Sequence, residues 1–157
     1  MTLGKVEIPP LQGTVADMLA FKGTTIHAIA PDATVYDAIA QMDERRVGAL
    51  LVMRGDRLVG VISERDYTRK VILLGRASKE TLVEEIMSSN VISVRSDMSL
   101  GECLQLVTDR GIRHLPVVES DKVVGLLSIG DLVRAVVAQQ AETITSLKSY
   151  IGSDYPT

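Results

Sequence analysis

The chain has 157 residues, of which 46% are hydrophobic, and it carries a formal net charge of −3. That length and composition suffice for one well-packed domain or for two small units that share a core. The acidic balance argues against a nucleic-acid partner, which requires a basic face. The longest uninterrupted apolar run, residues 49–53, is too short for a membrane span.

The single cysteine, Cys103, excludes an internal disulfide bond. Its place on the apolar stripe of a predicted helix indicates a core residue. The N-terminus lacks a basic region followed by an apolar stretch, so no secretory signal is apparent. We therefore expect a cytoplasmic protein that does not bind a membrane.

The first half of the chain predicts helices and strands in alternation. After a lead-in at residues 1–13, a side-chain oxygen at Thr14 and an acid at Asp17 predict the start of a short helix. The same spacing at Thr34 and Asp37 precedes apolar residues every three or four positions, which predicts an amphipathic helix. The other predicted elements are strands at 25–29, 48–53 and 58–62, a hairpin turn at 54–57, and a helix from Ser63 to about Gly75.

The same order of elements restarts after a connector. Thr81 and Glu84 predict the start of a second short helix, and Ser99 with Glu102 predicts the start of a second amphipathic helix. The remaining predicted elements are strands at 90–94, 115–118 and 123–127, a last helix from Ser128 past Leu147, and a tail from Gly152.

This order reflects a duplication. The segment Gly125-Leu126-Leu127-Ser128-Ile129-Gly130-Asp131 has a counterpart 65 residues earlier, Gly60-Val61-Ile62-Ser63-Glu64-Arg65-Asp66. We predict two repeats, residues 14–75 and 76–140, with a C-terminal extension at residues 141–157. Because one such unit is marginal alone, we expect the two to pack through their sheets with pseudo-twofold symmetry. The predicted fold is α/β, of the α+β kind, with two related clefts between its β-α-β-β-α repeats.

The doubled order of elements resembles a tandem pair of CBS domains, the small regulatory modules named after cystathionine β-synthase. The similarity covers the chain from about Thr14 to Gln140. In the second copy it is carried by Asn90-Val91-Ile92-Ser93-Val94, Asp97, Gly111-Ile112-Arg113-His114-Leu115-Pro116-Val117-Val118 and Gly125-x-x-Ser128-x-x-Asp131. In the first copy it is carried by Thr25-Ile26-His27-Ala28-Ile29, Asp32, Val47-Gly48-Ala49-Leu50-Leu51-Val52 and Gly60-x-x-Ser63-x-x-Asp66. The stretch Ser63-Glu64-Arg65-Asp66-Tyr67 resembles the free-standing CBS-pair proteins of bacteria.

The resemblance implies a regulatory module that binds adenosine-containing ligands (AMP, ADP, ATP, NAD or S-adenosylmethionine) in the clefts between the repeats. It also implies a homodimer, and a downstream protein that reads the conformational change caused by the ligand. Two alternatives stay open: a ligand-independent docking dimer with vestigial clefts, and a small enzyme. The enzyme is disfavoured because two histidines in unlike contexts offer no catalytic set, and no metal spacing or P-loop is present.

The resemblance assigns the ribose to Asp66 and Asp131, and the ribose or phosphate to Ser63 and Ser128. A carboxylate can accept both hydroxyl groups of a ribose, and helix N-terminal N–H groups favour a phosphate. The alternative is a helix cap without a ligand, because Ser-x-x-Asp is also a capping arrangement that contributes about 1 kcal/mol.

For the adenine, the resemblance indicates two strand entries, Thr25-Ile26 and Asn90-Val91. An adenine needs a flat apolar slot and one or two backbone groups that bind its edge. Ordinary core packing is the alternative for the four residues expected as walls. Those walls are Val47, Leu50, Ile112 and Leu115.

For the phosphates, the resemblance indicates Arg113 and His114 in the second copy. The first copy has Gly48 and Ala49 at these positions, so the two sites should differ unless Arg65 supplies the missing charge. Four further cations could extend a basic rim, although a charge run is more often a solvated face. They are Arg69, Lys70, Arg76 and Lys79.

Overall fold

Two mixed helix–strand repeats follow each other along the chain. A computed structural model describes residues 11–152. The first repeat and its flanking helices comprise α1 (Val15–Lys22), β1 (Ala28–Ile29), α2 (Val35–Arg45), β2 (Ala49–Arg54), β3 (Arg57–Ser63), α3 (Glu64–Tyr67) and α4 (Val83–Ile86). The second comprises α5 (Leu100–Arg110), β4 (His114–Glu119), β5 (Lys122–Ser128) and α6 (Ile129–Gly152). Gly152, where the tail is predicted to begin, is the last residue of α6, and the rest of the tail and most of the lead-in lie outside the described residues.

The amphipathic helices α2 and α5 confirm the predicted period. Each begins after a hydroxyl residue, Thr34 or Ser99, whose side chain accepts the N–H of the third helical residue. Each ends at a left-handed residue, Arg46 with φ 55° or Gly111 with φ 62°. Capping therefore fixes both ends at matching positions in the two repeats.

The strands form two antiparallel hairpins. In the first sheet β1 pairs in parallel with β2, and β2 pairs with β3. In the second sheet β4 pairs with β5. The turn between them places Ser120 and Asp121 at positive φ, as a two-residue type I′ turn requires.

Three predicted elements differ in extent. Of the strand predicted at 25–29, only Ala28–Ile29 forms, and the strand predicted at 90–94 is reduced to a single bridge from Val94 to Val117. The helix predicted from Ser63 to Gly75 is one α-turn followed by a π-helix at Thr68–Ile72.

The predicted helix start at Thr81 and Glu84 was wrong by one residue. Leu82 is the N-cap of α4, and its backbone N–H donates to the Glu85 carboxylate at 2.6 Å. The Thr81 hydroxyl instead donates to the Ala77 carbonyl, and its backbone carbonyl accepts the N–H of Val35. Thr81 is buried and used to join α4 to α2, so it is not available as a cap.

The two repeats exchange their first helices. The core of the second repeat contains Val15 and Leu19 from α1, together with Leu115 and Leu127 from β4 and β5. The core of the first repeat contains Val83 and Ile86 from α4. The predicted division at residues 14–75 and 76–140 therefore separates each short helix from the core on which it packs.

Matching backbone hydrogen bonds hold the exchanged helices. The N–H of Val15 donates to Met98 O, and the N–H of Leu100 donates to Gly13 O. In the other repeat the N–H of Val35 donates to Thr81 O, and the N–H of Val83 donates to Ala33 O. This repetition of one bonding pattern at both junctions gives the pair its pseudo-twofold arrangement.

The glycine of each Gly-x-x-Ser-x-x-Asp motif permits this close packing. A Cβ added at Gly125 would lie 2.6 Å from Leu19 Cδ2, and one added at Gly60 would lie 2.5 Å from Met87 Sδ. Side chains at these two positions would collide with the exchanged helices. The motif glycine thus permits close contact with the short helix of the other repeat. The sequence alone does not distinguish this role from turn formation.

Cys103 is fully buried in the second core, as predicted. Burial first, and then the neighbouring Glu102 charge, raise the pKa of its thiol to about 11. The thiol is therefore protonated and inert at neutral pH. Across residues 11–152, no helix is both long and apolar enough to cross a bilayer.

Candidate functional site

A cleft of about 600 Å³ opens between the repeats. It lies where the end of β3 and the start of α3 face the loop before α5 and the start of β4. Its lining residues come from both repeats. They are Gly48, Val61, Ser63, Glu64, Arg65, Asp66, Arg69, Lys70, Ser88, Asn90, Val91, Ile92, Gly111, Ile112, Arg113, His114, Ser128 and Ile129.

Asp66 presents a carboxylate to this cleft from the first turn of α3. Its Oδ2 accepts the Ser63 backbone N–H at 2.9 Å and the Ser63 hydroxyl at 3.0 Å, while Lys70 Nζ lies 3.2 Å from Oδ1. The Asp66 side chain keeps 15% of its surface exposed. Ser63 and Asp66 therefore form the helix cap that is the alternative given above, and the Asp66 carboxylate also faces the cavity.

Asp131, its counterpart in the second repeat, is in a different environment. Only 4% of the residue is exposed, and it does not line this cleft. Lys22 Nζ lies 2.6 Å from Oδ2, Arg134 Nη2 lies 2.6 Å from Oδ1, and the Ser128 N–H donates to Oδ2 at 2.8 Å. The two carboxylates predicted as equivalent are thus open in one repeat and covered in the other.

The partners of Asp131 keep it ionised. Burial alone would raise the pKa of this carboxyl, but it is outweighed by the hydrogen bond from Lys22, the backbone N–H of Ser128, the charge of Lys22 and the hydrogen bond from Arg134. The net result is a pKa below the ordinary value for aspartate. The Asp131 carboxylate is therefore ionised and buried, and the cations Lys22 and Arg134 neutralise its charge.

The predicted cations gather on the side of Asp66. Arg65 and Arg113 come from different repeats and line the same cleft, and Arg69 joins them. Among the described residues, the side chains of these three arginines have no ion-pair partner, and all three are exposed. Unpaired guanidinium groups around one cavity form a site for an anion with several oxygen atoms.

His114 lies at the start of β4, opposite Ser128 in the hairpin register. Burial first, and then the charge of Arg113, lower the pKa of its imidazole. The charges of Asp131 and Asp66 act in the opposite direction, and Lys22 adds a small lowering effect. His114 is therefore neutral at pH 7 and can donate one hydrogen bond into the cleft.

The adenine-side predictions divide between cleft and core. Asn90, Val91 and Ile112 line the cleft, whereas Thr25, Ile26 and Val47 do not. Leu50 and Leu115 have no exposed surface and belong to the two cores, which agrees with core packing, the alternative given for them above. Residues in the middle of β2 and β4 point into the core because both faces of those strands are covered.

The outer part of the predicted basic rim has other partners. Arg76 bonds the Glu85 carboxylate at 2.6 Å, and Lys79 stacks over the ring of Tyr36 at 4.8 Å. Neither lines the cleft. Lys22 was not predicted as a site residue, because only the exchange of α1 brings it to Asp131, 109 positions away.

We expect His114 to make stability depend on pH. Above its unfolded pKa of about 6.5 neither state binds the proton. As the pH falls through that value the unfolded chain is protonated first, because the folded pKa is lower, so folding stability decreases. Urea titrations at pH 7.5 and 5.5 should show a larger loss for the wild type than for His114→Gln. An equal loss of stability in the wild type and in His114→Gln would show that His114 does not cause the pH dependence.

Comparison with known proteins agrees with this architecture. The sequence model of the CBS domain family matches residues 23–72 and 83–138. CBS domain-containing protein CBSX3, mitochondrial, from Arabidopsis thaliana is 40% identical over 151 residues, covering 90% of this chain and 73% of the relative.

Two solved structures extend the comparison to the fold. A protein with CBS domains from Burkholderia ambifaria is 49% identical, with a TM-score of 0.79 over 82% of this chain and 96% of the other. CBSX2 in complex with AMP is 27% identical, with a TM-score of 0.66 over 82% of this chain and 99% of the other. The doubled family match, the relatives and the shared fold confirm the predicted resemblance: this chain belongs to the CBS domain family and carries the domain as a tandem pair.

Proposed function

We propose that the chain is a regulatory module that binds an adenosine-containing ligand, such as AMP, ADP, ATP or NAD, in the cleft between its repeats. One observation carries the proposal: a single cavity contains a carboxylate, an apolar wall and several cations. These three kinds of group suit the ribose, the base and the phosphates of a nucleotide. The similar CBSX2 has been crystallised in complex with AMP.

We place the ribose at Asp66. Its carboxylate is already held by Ser63 and Lys70, so it is oriented before any ligand arrives. An ionised carboxylate has about four acceptor positions. The Ser63 N–H, the Ser63 hydroxyl and Lys70 occupy three, so one is open to a ribose hydroxyl, and a second opens when the Ser63 hydroxyl turns its hydrogen away. Because the hydrogen bonds would be charge-assisted, they would be stronger than bonds between neutral groups.

We place the phosphates among Arg65, Arg113 and His114, with Arg69 and Lys70 nearby. Arginine side chains bind phosphate oxygens in pairs, and a neutral imidazole can donate one further bond. The cavity side of Lys70 is constrained, because its Nζ also donates to the Ile86 carbonyl at 2.8 Å. The unpaired arginines would therefore provide most of the phosphate affinity.

We place the adenine against Val91 and Ile112. Both are half-buried, so each offers an apolar surface without filling the cavity. The exposed segment at Asn90 supplies backbone groups that can bind the edge of the base.

Occupancy would be transmitted through the packing of the repeats. The ligand would touch residues of both, and it shifts their arrangement only if it binds two arrangements unequally. A homodimer in the cytoplasm, with a downstream protein that reads the change, completes the proposal. Support for a second copy comes from exposed apolar residues four positions apart on α6. They are Ile129, Val133 and Val137, which are 37%, 50% and 61% exposed.

Calorimetric titration with AMP, ATP and NAD tests the proposal directly. We expect saturable binding, and a stabilisation of about 2.7 kcal/mol when the ligand is at one hundred times its Kd. GMP and GTP serve as controls, because they supply the same ribose and phosphates without adenine. No saturable heat and an unchanged melting curve at millimolar adenosine ligand would refute the proposal and favour a ligand-independent docking dimer.

A further inference from the structure

The two carboxylates at the ends of the repeats differ in access because two cations, Lys22 and Arg134, cover Asp131. Lys22 is the last residue of α1, and the exchange of α1 places it beside Asp131 of the second repeat. Its Nζ bonds Asp131 Oδ2 at 2.6 Å and the Leu126 carbonyl at 2.7 Å. The ammonium group therefore occupies the side of Asp131 that corresponds to the open side of Asp66.

The pseudo-twofold arrangement identifies the counterpart of Lys22. Leu19 of α1 packs on Gly125 as Met87, after α4, packs on Gly60. Lys22 follows Leu19 by three residues, and Asn90 follows Met87 by three residues. Asn90 is short and neutral, and it lines the cleft in front of Asp66. Lys22 is still helical, whereas α4 ends at Ile86 and the chain is extended from Met87, so the two residues match in their spacing from the packed side chain and not in conformation.

We propose, on the basis of the function proposed above, that Lys22 closes the second adenosine site, so that each chain binds one ligand. Both oxygen atoms of Asp131 are already engaged by cations, Oδ2 by Lys22 and Oδ1 by Arg134. A ribose hydroxyl would have to displace one of these cations from a carboxylate that is 4% exposed, and a neutral donor binds a carboxylate less strongly than a cationic one does. At Asp66 only Oδ1 faces a cation, Lys70 at 3.2 Å, and Oδ2 accepts two neutral donors of Ser63, so a ribose hydroxyl can bind without displacing an ammonium group.

The test compares the AMP stoichiometry of the wild type, Asp66→Asn and Lys22→Asn by calorimetry. We expect one AMP per chain in the wild type, and in Asp66→Asn no site of wild-type affinity, only one weakened by about 10-fold to 100-fold. In Lys22→Asn, which replaces the ammonium group by a short neutral side chain, we expect two AMP per chain. Adding Asp131→Asn to Lys22→Asn should return the stoichiometry to one.

The outcomes separate this inference from the proposed function. One AMP per chain in folded Lys22→Asn, or one remaining site of wild-type affinity in Asp66→Asn, would overturn the closure by Lys22 alone. No binding in any of the proteins would overturn the proposed function as well. Lys22→Met, which keeps the aliphatic stem, provides a second variant if Lys22→Asn does not fold, and circular dichroism checks the fold of each.

Discussion

Asp66→Asn should weaken the binding of AMP by about 10-fold to 100-fold, because one hydrogen bond to a charged group contributes about 1.5–3 kcal/mol. An asparagine keeps the size of the side chain and can still accept the Ser63 N–H through its oxygen. Its NH₂ group cannot accept a ribose hydroxyl, so one acceptor is lost. Calorimetric titration of both proteins with AMP measures the change.

Asp17→Asn is the matched control. Asp17 forms the same reciprocal cap with Thr14, through bonds of 2.9 Å and 3.3 Å, at the start of α1. It does not line the cleft. Both variants should lose a similar, small amount of stability, but only Asp66→Asn should lose affinity. Equal affinities for AMP in the two variants would show that Asp66 is a capping residue and nothing more.

The periodic parts of the fold could be predicted from the sequence because local interactions determine them. The start of α2 at Thr34 and of α5 at Ser99 depends on caps within three residues. The hairpins depend on turn residues between apolar runs, and the duplication confirms each assignment by repeating it. The short edge strands were overestimated because their length depends on partners elsewhere in the chain.

The exchange of α1 and α4 could not be predicted from local patterns. The apolar pattern predicts that one face of α1 is buried. It does not determine which of the two repeats covers that face. The same limit applies to the site. The sequence identifies Ser63 with Asp66 and Ser128 with Asp131 as equivalent pairs, whereas the difference between them comes from Lys22, a residue outside both motifs.

The presence of Arg65 and Arg113 in one cleft also could not be predicted from local patterns. In the sequence, Arg113 and Asp131 belong to the same copy, which suggests that the second copy holds the better anion site. In the folded chain Arg113 and His114 line the cleft with Asp66 instead, since each cleft draws residues from both repeats. Arg65 therefore adds to the charge of Arg113 in one cavity, and does not replace it in another.

The exchanged helix gives the largest expected effect on stability. Leu19→Ala should lower the free energy of unfolding by about 2–4 kcal/mol, the range for removing a buried leucine side chain. Leu19 is 7% exposed and packs in the core of the second repeat. Gly125→Ala should lower it by about 1–3 kcal/mol, because the new Cβ would meet Leu19 Cδ2 at 2.6 Å. Urea denaturation measures both losses.

A double-mutant cycle tells whether α1 packs on the second repeat. With Leu19 shortened to alanine the Cβ at position 125 has room, so the double variant should be more stable than the sum of the single losses by about 0.5–3 kcal/mol. Gly60→Ala combined with Leu19→Ala is the control, because Gly60 faces Met87 in the other core. Those two losses should add within about 0.5 kcal/mol. Coupling of Leu19 to Gly60 in place of Gly125 would show that α1 packs on its own repeat, and Lys22 could then not reach Asp131.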